Sequence, residues 1–129
     1  MFETRRLPAQ PDVTAPDGSL VRILLKRSGG SMAHFELPVG FTSLAVEHKT
    51  VEEVWYVLSG QGEMWRSLQG IEEVVPLDAG TCLTIPVGTQ FQFRNLGTEP
   101  LMAVGITMPP WPGEDEAKVV TGIWPPLVH

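Results

Sequence analysis

One cysteine, Cys82, stands in a chain of 129 residues, so no internal disulfide can form and a reducing compartment is the expectation. No stretch approaches the run of about 18 apolar residues that a membrane helix needs. The opening Met1-Phe-Glu-Thr-Arg-Arg has no apolar core of a signal peptide, which points to a cytoplasmic protein. Basic residues are also few: nine Lys and Arg stand against fifteen Asp and Glu, for a formal charge of −6. Arg5-Arg6 and Lys26-Arg27 are the only basic dipeptides. Nucleic acid is therefore excluded as an expected partner, because phosphate binding needs a basic surface. No internal repeat is visible, and no segment carries a sustained helical period.

What the sequence does contain is turn chemistry. Thirteen glycines and twelve prolines divide it into short pieces, and an apolar content of 43% argues for a globular chain. The length fits a single domain. Residues 1–18, with Pro8, Pro11, Pro16 and Asp17-Gly18, read as an extended arm. Strands are predicted at Leu20–Lys26, Met32–Leu37, Phe41–Glu47 and Glu53–Leu58. Glu63–Leu68 and Ile71–Leu77 form a predicted hairpin about Gln69-Gly70, since X-Gly dipeptides favour tight hairpin turns. Thr81–Ile85, Gln90–Arg94 and Leu101–Met108 follow. The barrel is thus expected over 19–108, with a Pro- and Trp-rich tail over 109–129. Residues 114–120 offer at most one short helical turn. About nine strands at this spacing make an all-β sandwich or barrel.

Residues 40–60 carry a more specific pattern. Gly40, His48, Glu53 and Gly60 stand in the register G-x5-H-x-H-x4-E-x6-G, with Val46 at the first histidine position. Gly80, Pro86, Gly88 and Asn95 fit G-x5-P-x-G-x2-H-x3-N, with Phe91 in place of histidine. Together these stretches resemble the two motifs of the cupin superfamily, in the small single-domain form with a short spacer. The resemblance implies a double-stranded β-helix, a jelly-roll barrel of RmlC-like type. It also implies a barrel interior that holds a divalent metal on three histidines and one glutamate. Of those four donors this chain keeps His48 and Glu53, while Val46 and Phe91 have no lone pair to give. The resemblance fixes no reaction, because one fold hosts many activities.

Strand alternation places Val46 and His48 on one face, and Phe91 with Phe93 on another. A ligand pocket is accordingly expected from Val46, His48, Glu53, Trp55, Phe91 and Phe93. His48 and Glu53 are the candidate catalytic pair, an imidazole beside a carboxylate. They are equally readable as a structural pair retained in a core. If a metal is bound, the candidates to join them are Gln90, Gln92 or His34. Trp55, on Glu53's face, and Trp65 are candidate stacking surfaces, though aromatic strand residues commonly belong to the core. Cys82 has no adjacent base and is not expected to act as a nucleophile. The Glu114-Asp115-Glu116 run reads as a solvated face, Glu52 as solvent-facing and His129 as an exposed terminal residue. Trp111 and Trp124 need to cover something, the barrel's own mouth, the outer sheet or a partner subunit, and a second copy in a homodimer is the preferred answer.

Three functional classes follow. The preferred one is a barrel that binds a small molecule with a degraded metal site, acting at most as a metal-independent isomerase or lyase on a carbohydrate-like or carbonyl compound. The second is a metal-dependent enzyme of dioxygenase or sugar-phosphate isomerase type with recruited ligands. The third is a structural or regulatory barrel, favoured if Phe91, Phe93 and Trp55 fill the interior.

Overall fold

The computed structural model describes residues 1–128; His129, read above as exposed, lies outside them. Eleven strands are present among the described residues. They are β1 (Val13–Thr14), β2 (Leu20–Arg27), β3 (Gly30–Leu37), β4 (Ala45–His48), β5 (Glu52–Ser59), β6 (Gly62–Leu68), β7 (Ile71–Leu77), β8 (Cys82–Ile85), β9 (Gln90–Asn95), β10 (Leu101–Met108) and β11 (Ala117–Val120). Two antiparallel sheets result, ordered β1-β2-β3-β10-β5-β8 and β11-β4-β9-β6-β7. This is the jelly-roll arrangement. A single 3₁₀ turn covers Glu114–Glu116, and no helix among the described residues is long and apolar enough to cross a membrane.

Alternation within each strand sorts core from surface. Along β5 the buried positions are Glu53, Trp55 and Val57, and along β10 they are Leu101, Ala103, Gly105 and Thr107. The inward side chains from both sheets, among them Leu37, Val46, Trp55, Met64, Leu77, Phe91 and Phe93, make one continuous core. Burying a side chain as large as Phe93 contributes about 2–3 kcal/mol. The predicted hairpin forms as expected, with Gln69 and Gly70 both left-handed at φ 52° and 82°.

The motif residues away from the metal positions have structural work at the end of the barrel opposite His48. Gly60 adopts φ 90°, and a Cβ there would lie 2.7 Å from both Leu101 Cα and Pro100 O, so only glycine fits this turn. Asn95 donates through Nδ2 to the carbonyls of Leu37 (3.0 Å) and Glu99 (2.9 Å), and its Oδ1 accepts from Gly97 N (2.9 Å). These bonds tie the β9–β10 loop to the end of β3.

Most strand ends move by a residue or two, and three departures from the sequence reading are larger. β4 starts at Ala45 rather than Phe41, because Thr42 is diverted into bridges to Arg94 and Leu127. Val13–Thr14 of the arm pairs with β2, and Ala117–Val120 of the tail pairs with β4. Both additions are short edge strands, which leave little unpaired backbone at the sheet margins. The expected helical turn is confined to Glu114–Glu116, after which the chain extends.

The tail folds back on its own barrel. Gln92, on the outward face of β9, is fully buried by it. Its Nε2 donates to the carbonyls of Ser43 and Trp124, both at 2.8 Å, and its Oε1 accepts from the amides of Ile123 (3.0 Å) and Trp124 (3.1 Å). Arg94 lies over the Trp124 ring at 4.3 Å, while its guanidinium holds Glu63. Part of the cover for Trp124 is thus supplied by the chain's own outer sheet.

Candidate functional site

One end of the barrel collects the termini of β4, β8 and β10 and the beginnings of β5 and β9. His48 is the last residue of β4 and Glu53 the second of β5, so the turn 49–51 sets their separation. That turn is clamped by Glu116. Its Oε2 accepts from Thr50 N (2.6 Å) and Val51 N (3.0 Å), and its Oε1 accepts from Thr50 Oγ1 (2.5 Å). Burial opposes ionisation of Glu116, but these bonds and nearby His48 outweigh it and lower its pKa. The reading of 114–116 as a solvated face therefore holds for Glu114 and Asp115 and fails for Glu116, which is buried.

His48 Nδ1 and Glu53 Oε2 approach to 3.2 Å, both residues buried. The contact is near enough for an ion pair but misaligned for a hydrogen bond, so Nδ1 has no hydrogen-bond partner. Two rings meet the imidazole edge to face: Phe91 at 5.2 Å from one strand and Trp111 at 5.0 Å from the tail. Trp111 is placed by its backbone, whose N–H donates to Ser31 Oγ (2.9 Å); that hydroxyl also pairs closely with Thr107 Oγ1. A second buried carboxylate, Asp17, stands within electrostatic range of His48 and Glu53. Burial raises its pKa, only partly offset by bonds from Ser19 N (2.9 Å) and Ser19 Oγ (2.6 Å).

Four polar atoms on the inward face are buried without a hydrogen-bond partner: His48 Nδ1, Thr89 Oγ1, Trp55 Nε1 and Arg66 Nε. Thr89 is in phase with Phe91 and Phe93 on β9. Arg66 is the cross-strand neighbour of Phe91, and its other nitrogens bind Thr84 O (2.7 Å) and Glu73 (2.5 Å). Native interiors leave few such atoms unpaired.

The remaining sequence candidates divide clearly. Val46 and Phe91 are directly opposed partners on β4 and β9, buried at 1% and 2% exposure. With Phe93 and Trp55 they belong to the packed core, where Trp55 stacks on Phe35 at 4.9 Å and meets Phe93 edge to face at 5.2 Å. These four fill the inward side, the filling named above as favouring a structural or regulatory barrel, while His48 and Glu53 stand at one end of it. Trp65 points outward instead and donates to Glu72 (2.9 Å). Cys82 is exposed.

The candidate recruited ligands do not gather at His48. His34 is on the face of β3 opposite Phe35, buried beside Arg22, with neither ring nitrogen paired. Burial, reinforced by Arg22, lowers its pKa. Gln92 spends its amide on the tail, and Gln90 reaches Glu47 at 3.4 Å on the outer face. Among the described residues no group of three or more His, Cys, Asp or Glu side chains is placed to hold a metal. The donor set of this chain does not fit a four-ligand metal centre, since two of the four places carry hydrocarbon.

Thr89, Trp111, Glu116 and Arg66 were not singled out for the site from sequence. The alternation that placed Phe91 inward extends by two residues to Thr89. For Trp111 and Glu116 no local signal exists, because both reach the mouth from the returning tail.

A jelly-roll barrel with two histidine–glutamate motif positions retained at one end defines a cupin. The cupin-domain profile matches residues 33–107, and the chain belongs to that family. It is 34% identical over 104 residues to the uncharacterized protein MJ1618 of Methanocaldococcus jannaschii, covering 77% of this chain and 80% of that one. Its fold is similar to Lactobacillus farciminis oxalate decarboxylase in a formate complex, with a TM-score of 0.69 at 19% identity, covering 80% of this chain. Bacillus subtilis oxalate decarboxylase, studied for its Mn(II) centres, matches with a TM-score of 0.64 at 21% identity over 75% of this chain. The chain spans only 31% and 27% of those two proteins. These likenesses show the fold.

Proposed function

We propose that this cupin binds a small molecule at its barrel mouth through His48, Glu53 and Thr89, without a four-ligand metal centre. The observation that carries the reading is the set of unpartnered buried polar atoms at His48, Thr89 and Trp55, of which the His48 and Trp55 rings both meet Phe91 edge to face. A barrel kept only for structure gains nothing from leaving them unpaired, since each lost hydrogen bond costs about 1–3 kcal/mol. The similar oxalate decarboxylases, one of them in a formate complex, are consistent with a small-molecule role, whereas their Mn(II) centres have no matching four-donor set here. An imidazole beside a carboxylate, as at His48 and Glu53, is also a combination that can move a proton in isomerase or lyase steps.

The reading is tested with EDTA-treated protein and a panel of small sugars, acids, amines and carbonyl compounds, followed by thermal denaturation. At least one compound is expected to raise Tm by several degrees. That shift disappears in His48→Ala and Thr89→Val and persists in Glu47→Gln, on the outer face. Stabilisation that is equal in all these variants contradicts binding at the mouth.

A further inference from the structure

We propose that the outer face of the sheet β1-β2-β3-β10-β5-β8 is the contact surface of a two-fold dimer, covered by the same face of a second copy of this chain. β10 reads Leu101-Met-Ala-Val-Gly-Ile-Thr-Met108 and carries no charged residue on either side. An antiparallel strand covered on one side only ordinarily alternates apolar with polar residues, and strands apolar on both sides are covered on both. In this chain the core covers the inward side, and Met102, Val104, Ile106 and Met108 face out. The registers set Ile106 between Met32 and Val54, and Val104 between His34 and Tyr56. Val54, Tyr56 and Leu58 remain 40%, 51% and 43% exposed. The outer face of the other sheet differs in kind. There Glu63 opposes Arg94, Glu47 opposes Gln90, and the tail crosses Gln92.

Area and charge name the occupant. With about 150–250 Å² for a whole aromatic side chain and less for an aliphatic one, the outward residues of β3, β10, β5 and β8 expose on the order of 600 Å². That reaches the largest patch of an ordinary monomer and approaches the ~800 Å² per partner of a standard interface. The N-terminal arm adds to it. Its Pro8 and Ala9 carbonyls accept from Arg22, which shares a cross-strand row with His34 and Val104, and beyond them Met1 and Phe2 are fully exposed. A two-fold contact sets a surface against itself, so charge at its centre repels. The chain carries a formal charge of −6, yet the outward positions of β10, of β8 and of Val54 to Leu58 on β5 carry none. At the margin Glu36 is neutralised by Arg22 at 2.9 Å. A second copy of this acidic chain meets no repulsion there, whereas an oppositely charged partner would find no charge to pair with.

Sedimentation equilibrium of the untagged full chain is expected to show a reversible dimer, at twice the mass of the 129-residue chain. Tyr56→Glu and Val54→Lys, both at exposed outward positions, should each weaken it by about 100-fold or more, because the new charge is buried unpaired or meets its own copy. Val74→Glu, at an exposed apolar position on β7 of the other sheet, should leave the dimer constant unchanged. Cys82 is exposed in the single chain and is the cross-strand neighbour of Tyr56, so it gives a second readout. Its alkylation by a bulky maleimide should slow as the natural protein is concentrated and keep a constant rate in Tyr56→Glu. A chain that stays monomeric at about 1 mM overturns the proposal and leaves the face to a different protein. A dimer that withstands both Tyr56→Glu and Val54→Lys overturns it as well, and dissociation in Val74→Glu would move the contact to the other sheet.

Discussion

Gln92→Leu is expected to destabilise the protein by about 3 kcal/mol or more and to release the C-terminal tail. Few side chains here satisfy so much at once. Its amide joins Ser43 of the barrel to Ile123 and Trp124 of the tail through four hydrogen bonds. Leucine has similar volume but leaves two carbonyls and two amides without partners. The tail can then relieve the deficit only by lifting into water, which removes the cover from β9. Gly122 shows how tightly the segment is seated, since a Cβ there would come within 2.2 Å of Gln92 Oε1. Urea denaturation gives the stability change, and hydrogen exchange at the Ile123 and Trp124 amides, which donate to Gln92, reports the tail. A loss below about 1 kcal/mol with unchanged exchange would contradict the clamp.

A still larger functional change is expected from Val46→His combined with Phe91→His. The two positions are cross-strand partners, and both side chains sit on the inward face with His48 and Glu53. Two imidazoles there complete a four-donor set. Losing a group that merely supports a ligand typically costs about 10–100-fold in metal affinity. Restoring two ligands should therefore raise zinc or nickel affinity by more than about 100-fold. Each single variant supplies three donors and should fall between. Removing the Phe91 ring from a packed core also lowers stability by about 3 kcal/mol or more, partly recovered when metal binds. Equal affinity in the natural protein and the double variant would mean that the backbone no longer directs these positions to one point.

How much of this was legible from residues alone depends on how far apart the contacting residues lie in sequence. The two-residue period of strands placed Val46 with His48, Glu53 with Trp55 and Phe91 with Phe93, and the structure keeps all of these inward. Motif glycines and Asn95 marked the turns, where backbone sterics leave little choice. His34 was not decided by the same rule. Its strand carries polar and apolar residues on both faces, so parity alone did not say whether His34 or Phe35 points inward. The stacking of Phe35 on Trp55 decides it.

The tail was the least legible part. Proline and tryptophan announced that it must cover something, but not which surface. Glu116 bonds Thr50 across 66 positions, and Trp111 bonds Ser31 across 80. No local pattern encodes contacts at that separation. Gln92 was weighed only as a metal ligand, because a buried glutamine in sequence looks the same whether it serves a metal or a returning backbone.

The account stands most directly on the claim that the mouth works with two of the family's four metal ligands and not with a recruited set. Elemental analysis of the untagged natural protein, purified with metals present throughout and desalted, measures this in one step. Metal well below one equivalent per chain, and no change in that figure in His48→Ala, is the result expected from His48 and Glu53 standing alone. Stoichiometric metal that is lost in His48→Ala would contradict it and move the protein to the metalloenzymes.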